Sequence, residues 1–165
     1  MTRFCSLGVF LFGLLLNGHL GADSLKTQIA VSHGWSPAAP PNMSMHAGYF
    51  VLHNQTSRAV ELLSVSSPAY ESIEIHESQI IDGIAGMSQL PSLSIEPDQK
   101  VVFKSGGLHL MMRNPGSKKR VGDSFAVQLQ FSDGALVDLE MKVSKYSPLQ
   151  ADAPKSDMHH HHHKM

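Results

Sequence analysis

Cysteine is almost absent from this chain of 165 residues, which contains only Cys5. Residues 1–22 carry a single Arg3, an apolar run that ends at Leu16 and small residues near Ala22, a pattern typical of a secretory signal peptide. Removal of that segment would take Cys5 with it. We therefore expect a mature chain without disulfides, thiolate zinc sites or thiolate copper sites. Metal binding would have to use nitrogen, oxygen or thioether sulfur.

Charge is also scarce, since Asp, Glu, Lys and Arg make up 16% of the residues and the net charge is -1. No basic patch of the kind that nucleic-acid binding requires is present in the sequence, so we exclude that class. No nucleophile with a matching general base stands out, and we do not expect an enzyme. The N-terminal apolar run is short for a membrane span. The expected location is the periplasm, with no span after signal cleavage; a retained anchor is the alternative.

Long amphipathic helical patterns are missing, and period-two alternation takes their place. Turn signals such as Asp82-Gly83, Gly106-Gly107 and Asp133-Gly134 separate the alternating segments. This arrangement predicts an all-β antiparallel sandwich or small barrel. The predicted strands are 27–33, 46–53, 58–65, 70–77, 100–105, 108–112, 124–131 and 135–143. Residues 34–45 are predicted to form a stiff Pro-rich loop, and a signal peptide (1–22), one domain (23–146) and a disordered tail (147–165) complete the organisation.

Histidine and methionine are abundant, with 11 and 9 copies respectively. Within "LHLMM" the alternation puts Leu110 and Met112 on the core face and His109 with Met111 on the other face. The same alternation in "SIEIH" turns Ile75 inward and His76 outward. Met87 lies between these two strands.

Two imidazoles and two thioethers without a carboxylate favour a soft cation of low charge, which points to Cu(I). Calcium or magnesium would need oxygen ligands instead. The alternative is an ordinary set of surface histidines and packing methionines.

The spacing of His76, ten residues, Met87, twenty-one residues, His109-x-Met111 resembles the signature of the PCuAC family of periplasmic copper chaperones. The resemblance covers about residues 27–144. It includes the segments "WSPAAPPNM", "HAGYFVLHN", "SVSSPAYESIEIHE", "KSGGLHLMM" and "GDSFAVQLQFSDG".

This resemblance implies a cupredoxin-like Greek-key β-sandwich. We expect the protein to be a monomer. The resemblance also implies Cu(I) binding by His76, Met87, His109 and Met111. The implied recipient is the copper centre of a cytochrome c oxidase subunit. Copper would reach it directly or through a thiol-bearing assembly factor, and another copper enzyme is the alternative recipient. A copper-buffering or resistance protein without a dedicated recipient is the alternative function.

The chain departs from the family pattern in its Pro-rich loop, where Pro37 replaces a common basic residue and Met43 and Met45 replace small ones. Together with His46, these methionines could form an accessory copper contact, although anchoring of the loop by methionine is the preferred interpretation. The C-terminal tail could bind Cu(II) weakly, and its composition favours a natural tail over an expression tag. Its candidate ligands are Met158, His159, His160, His161, His162, His163 and Met165.

Two further classes are compatible with a β-sandwich. A blue-copper electron carrier would need a thiolate, which the mature chain lacks. A structural or adhesive sandwich with incidental histidines would bind no Cu(I) in the folded domain.

Overall fold

The structure is a computed structural model that describes residues 28–40 and 42–148. The described chain consists almost entirely of strands, which confirms the predicted all-β fold. Its ten strands are β1 Ile29–Pro37, β2 Met45–Asn54, β3 Val60–Ser66, β4 Tyr70–Ile81, β5 Ile84–Leu90, β6 Leu93–Ile95, β7 Lys100–Val102, β8 Leu108–Pro115, β9 Ser124–Phe131 and β10 Leu136–Ser144. No helix among the described residues is long and apolar enough to cross a membrane.

The strands follow the order β5-β4-β8-β2-β1-β10-β9-β3-β6, with β7 paired to β2. Strand β2 joins the two halves, because residues 45–48 pair with β8 and residues 49–54 pair with β1. Chain neighbours β2 and β3 are far apart in this order, as Greek-key connectivity requires. One detail differs from the antiparallel prediction: β1 and β10 run parallel through Trp35 and Lys142.

Apolar side chains from both halves fill one core. Strand β9 alternates strictly between exposed and buried residues, which is the pattern expected of a strand with one face on the core. Tyr70 of β4 packs edge-on against Phe125 of β9, with ring centroids 5.2 Å apart. Met112 of β8 is fully buried, which confirms its assignment to packing.

Three segments differ from the sequence-based prediction. Strands β5 and β6 are absent from it, because every residue of β5 from Ile84 to Gln89 is exposed and the segment shows no alternation to detect. Strand β1 continues to Pro37, into the predicted loop of residues 34–45. A β-bulge between Ser32 and Trp35 makes this extension possible, with His33 at a positive φ of 57°.

The β4–β5 hairpin extends away from the core and is closed by the predicted Asp82-Gly83 turn. Both turn residues have positive φ angles, 53° and 79°, as a two-residue type I′ hairpin turn requires. Ile80, Ile81 and Ile84 near the turn are all exposed. Because β5 is the first strand in the sheet order, it is an edge strand.

Candidate metal centre

The register of three neighbouring strands brings the four predicted ligands onto one face. His76 of β4 lies directly opposite His109 of β8, and Glu74 lies opposite Met111. Met87 of β5 lies opposite Ser78, two residues beyond His76. Met87 and Met111 are therefore diagonal neighbours of His76, a separation of about 7–8 Å that long side chains can span.

The two imidazoles are close enough to share one ion. Their ring centroids are 6.0 Å apart and their planes are inclined by 39°. A metal–imidazole bond of about 2.0–2.1 Å places the ring centre roughly 3 Å from the metal, so two rings on one ion can be this far apart. Both histidines lie on the strand face that the alternation predicts. They do not point freely into solvent, however, because His76 and His109 are only 8% and 9% exposed.

Hydrogen bonds fix the tautomer of each ring. His109 donates from Nδ1 to the carbonyl of Gly107 at 2.9 Å, which leaves the lone pair on Nε2. His76 donates from Nε2 to Glu74 Oε2 at 2.8 Å, which leaves the lone pair on Nδ1. Both imidazoles can thus be neutral and each offers one nitrogen, which is the form that binds a metal.

The Nδ1 atom of His76 is buried and has no hydrogen-bond partner. Among the described residues it is the one buried side-chain nitrogen or oxygen without a partner. Buried polar atoms are rarely left in this state, since the lost hydrogen bond to water costs about 1–3 kcal/mol. A coordinated metal ion would satisfy this atom.

Glu74 and Arg113 form a charged support for His76 that the sequence analysis did not identify. Arg113 Nη2 donates to Glu74 Oε2 at 3.2 Å, and the same nitrogen lies 3.9 Å from Met111 Sδ. The hydrogen bond from His76 lowers the pKa of the Glu74 carboxyl below its ordinary value, and the positive charge of Arg113 also lowers it. Desolvation of the carboxyl opposes both effects. Period-two spacing could have revealed both residues, because each lies two positions from a predicted ligand on the same strand face.

The proposed Met43–Met45–His46 cluster is divided between two faces. Met45 pairs with Arg113 and Ala47 pairs with Met111, so Met45 lies on the face of the predicted ligands. His46 pairs with Met112, faces inward and is 8% exposed. Met43 lies in the preceding loop and is half exposed. The structure does not bring the three residues together as one set of ligands.

His46 is occupied by other contacts. Tyr70 lies with its hydroxyl 2.9 Å from His46 Nδ1, and the ring also hydrogen-bonds the backbone of Met43. Burial lowers the pKa of His46; the Met43 bond opposes that shift and the charge of Lys119 adds to it. Burial raises the pKa of Tyr70 to about 12, so its hydroxyl stays protonated and donates to the neutral ring.

Other candidate residues lie elsewhere. His53 binds Asp98 at 2.9 Å and His33 is exposed, consistent with their assignment as surface residues. Cys5, the signal segment and all tail candidates from Met158 to Met165 lie outside the described residues. The described residues contain no group of three or more His, Cys, Asp or Glu that could hold a metal.

Residues 29–143 match the family described as "Putative lipoprotein LpqE-like". The chain belongs to this family. The uncharacterized protein RP573 of Rickettsia prowazekii is 29% identical over 135 residues, which cover 77% of this chain and 74% of RP573. The "Putative lipoprotein Lxx21020" of Leifsonia xyli is 26% identical over 120 residues, covering 72% and 71% of the two chains.

Solved structures confirm the resemblance to PCuAC domains at the level of the fold. The copper-bound PCuAC domain from PmoF2 superposes with a TM-score of 0.61 at 20% identity, covering 72% of this chain and 94% of that domain. The Cu(I) form of DR1885 from Deinococcus radiodurans gives a TM-score of 0.57 at 24% identity, covering 76% and 83%. This LpqE-like chain therefore has the fold of domains whose structures contain copper.

The buried His46–Tyr70 pair predicts a pH-dependent stability. Because folding lowers the pKa of His46 below the ordinary value of about 6.5, the unfolded chain binds more protons between those two values. The contribution of His46 is therefore fully present above pH ~6.5 and is lost as the pH falls towards the folded-state pKa. Urea unfolding of the copper-free protein at pH 7.5, 6.5 and 5.5 should show this loss.

The matched variant is His46→Gln, which keeps a hydrogen-bonding side chain but does not titrate. It should be less stable than the wild type at pH 7.5 and should lose less stability on acidification. Equal pH slopes in the wild type and His46→Gln would contradict the prediction. The pKa of the Glu74 carboxyl is lowered from an ordinary value of about 4.3, so its titration lies below the pH range of this experiment.

Proposed function

We propose that this LpqE-like protein binds Cu(I) through His76, Met87, His109 and Met111 and passes the ion to another protein outside the cytoplasm. The observation that carries the proposal is the partnerless, buried Nδ1 of His76 beside His109, on a face shared with two thioethers. A site that leaves a buried nitrogen unsatisfied is incomplete without an ion. The copper-bound structures of the PmoF2 domain and of DR1885 support the choice of metal.

Charge balance favours the monovalent ion. The four ligands are neutral, and Glu74 and Arg113 beside them offset each other. An incoming ion thus places its whole charge in a site where both imidazoles are nearly buried. The cost of desolvating an ion rises steeply with its charge, so Cu(I) is preferred over a divalent ion. The thioether sulfurs add to that preference because they are soft donors.

Release of the ion is proposed to occur on the Met87 side. Met87 is 56% exposed, whereas the two histidines are about 8–9% exposed. A donor from another protein can therefore approach from the side of β5 and replace Met87 before the imidazoles are lost. Such ligand exchange moves copper without releasing a free ion, which is the behaviour of a carrier rather than an enzyme.

The cellular setting of the proposal is the periplasm or the outer side of a membrane. The LpqE-like family and Lxx21020 carry lipoprotein names, which supports an extracytoplasmic location.

The PCuAC resemblance supports delivery to the copper centre of cytochrome c oxidase, directly or through a thiol-bearing assembly factor. A monomer with a cleaved signal and a Cu(II)-binding His/Met tail completes the proposal. Copper buffering without a recipient is the alternative, and a transfer assay with an apo oxidase domain distinguishes the two.

Competition titration with Cu(I) under anaerobic conditions tests the site. The background is a variant whose five tail histidines, 159–163, are replaced by serine, so that only the folded domain is measured. It should bind one equivalent of Cu(I). His109→Ala should weaken the affinity at least tenfold, about 1.4 kcal/mol or more, because a nitrogen ligand is lost. His53→Ala is the matched control on the surface and should leave the affinity unchanged; equal affinities of all three proteins would refute the assignment.

Glu74→Leu tests the support of His76. Loss of the carboxylate should release the His76 ring from its Nε2–H tautomer and weaken Cu(I) binding by about tenfold, as for other residues that orient metal-bound histidines. Nitrogen-15 NMR of the copper-free protein should show a mixed tautomer at His76. Glu74→Gln can still accept the ring hydrogen bond and should restore most of the affinity.

The control for Glu74 is its neighbour Glu77, which lies on the other face of β4 and accepts a hydrogen bond from Gln79. Glu77→Leu should change neither the tautomer nor the affinity. A Glu74→Leu protein that binds Cu(I) as tightly as the wild type would show that the charged support is not needed.

Oxidation of Met87 tests the thioether ligands. In a Met43→Leu, Met45→Leu background, which should bind Cu(I) normally, limited peroxide treatment of the copper-free protein should oxidise exposed Met87 and spare buried Met112. Conversion to the sulfoxide replaces a soft sulfur donor with a hard oxygen and should weaken Cu(I) binding at least tenfold. Methionine sulfoxide reductase should restore it. Peptide mass spectrometry identifies the oxidised residue, and unchanged affinity after oxidation of Met87 would exclude it as a ligand.

A further inference from the structure

A second cavity lies at the opposite end of β8 from the His109 site. It has a volume of about 840 Å³ and opens between the loop 38–44 and the segment 114–121. Small-molecule sites typically have volumes of about 300–1,000 Å³, so the size suits an organic ligand. Neither His76, His109 nor Met87 lines it.

Three consecutive cations line this cavity, and no Asp or Glu is among its lining residues. They are Lys118, Lys119 and Arg120, and none of their side chains forms an ion pair with a carboxylate of the described residues. Two carboxylates hydrogen-bond lining residues of the cavity but form no ion pair with the three cations. Glu71 accepts a hydrogen bond from Asn114, and Asp123 accepts one from the backbone N–H of Arg120.

The central cation is held in place. Lys119 Nζ donates to Ser117 Oγ at 2.9 Å and lies 5.8 Å from the centroid of the Tyr70 ring. Tyr70 in turn is hydrogen-bonded to His46, which also lines the cavity and whose pKa is lowered by burial. Lys119 is only half exposed, so its charge faces the cavity with less water than a free surface lysine would have. Three neighbouring like charges that form no ion pair repel one another, and a bound anion would relieve that repulsion.

The lining of the cavity also includes apolar side chains. They are Pro40, Met43 and Val121, and the last two are about half exposed. An inorganic anion would leave this surface in contact with water, whereas an anion with a hydrocarbon part would cover it. We propose that the cavity binds an amphipathic organic anion, whose head group pairs with Lys118, Lys119 and Arg120 and whose apolar part lies against Pro40, Met43 and Val121.

Octyl phosphate, used below its micelle concentration, is the probe for this site. In ¹H–¹⁵N spectra of the full chain it should shift the amides of residues 38–46 and 114–121 in a saturable way. Octyl glucoside keeps the tail without the charge, and inorganic phosphate keeps the charge without the tail. Each should bind at least tenfold more weakly than octyl phosphate. Equal binding of either one would overturn the proposal, as would the absence of saturable shifts with octyl phosphate.

Charge variants identify the side chains. Lys118→Gln, Lys119→Gln and Arg120→Gln together should raise the dissociation constant at least tenfold. The matched control removes the same charges elsewhere through Arg58→Gln, Lys100→Gln and Lys104→Gln and should leave it unchanged. Since Lys119 packs on Tyr70, a second variant with only Lys118→Gln and Arg120→Gln guards against a folding defect and should still weaken binding at least threefold. An equal effect of the control variant would indicate non-specific attraction and refute the site.

Vesicles distinguish a cavity from a membrane-binding surface. Anionic phosphatidylglycerol vesicles that bind the protein while monomeric octyl phosphate does not would overturn the cavity proposal in favour of surface adsorption. Binding of octyl phosphate with unchanged Cu(I) affinity is the expected result, because the two sites share no residue.

Discussion

The pairing of β4 with β8 is the constraint on which the candidate metal centre depends. That register places His76 opposite His109 and, two residues along, Glu74 opposite Met111. A shift of the register by one residue would turn the histidines of one strand to the other face, so the site exists in only one alignment. The alignment is fixed from the core side, where Ile75 and Leu110 form a buried pair between the His76–His109 pair and the Glu74–Met111 pair. Packing of apolar residues on one face thereby positions polar ligands on the other.

The two histidines and the two methionines have different roles within this frame. The histidines are nearly buried, and each is oriented by a hydrogen bond from the ring nitrogen that is not available to a metal. Met87 lies on the edge strand β5, whose residues are exposed from Ile84 to Gln89. This strand pairs with β4 on one side only. The result is a rigid nitrogen pair with a more accessible thioether beside it. Under the proposed function, such an arrangement would combine retention of an ion with a route for its exchange.

Strand alternation was sufficient to predict much of the fold and part of the site. It identified the strands around Leu110, Val127 and Met141 because one face of each is covered by the core. It failed for β5, whose two faces are both in water, and it did not detect the parallel pairing of β1 with β10, because period two carries no information about strand direction. The alternation also separated Met111 from Met112 correctly by face. It could not show that His76 and His109 are buried, since alternation assigns a side chain to a face and not the extent to which that face is covered.

The sequence by itself determined the chemistry available to this protein: thioethers and imidazoles at long spacings, almost no cysteine, and strand faces assigned by the order of apolar and polar residues. Only the tertiary structure decided which of those groups meet. It joined His76 to Glu74 and Arg113, left Nδ1 of His76 without a partner, and divided Met45 from His46. It also closed a cationic cavity around Lys119 far from the histidine pair. The reason is that residue type fixes what a side chain can bind, whereas strand register and packing between layers fix its distance from every other side chain.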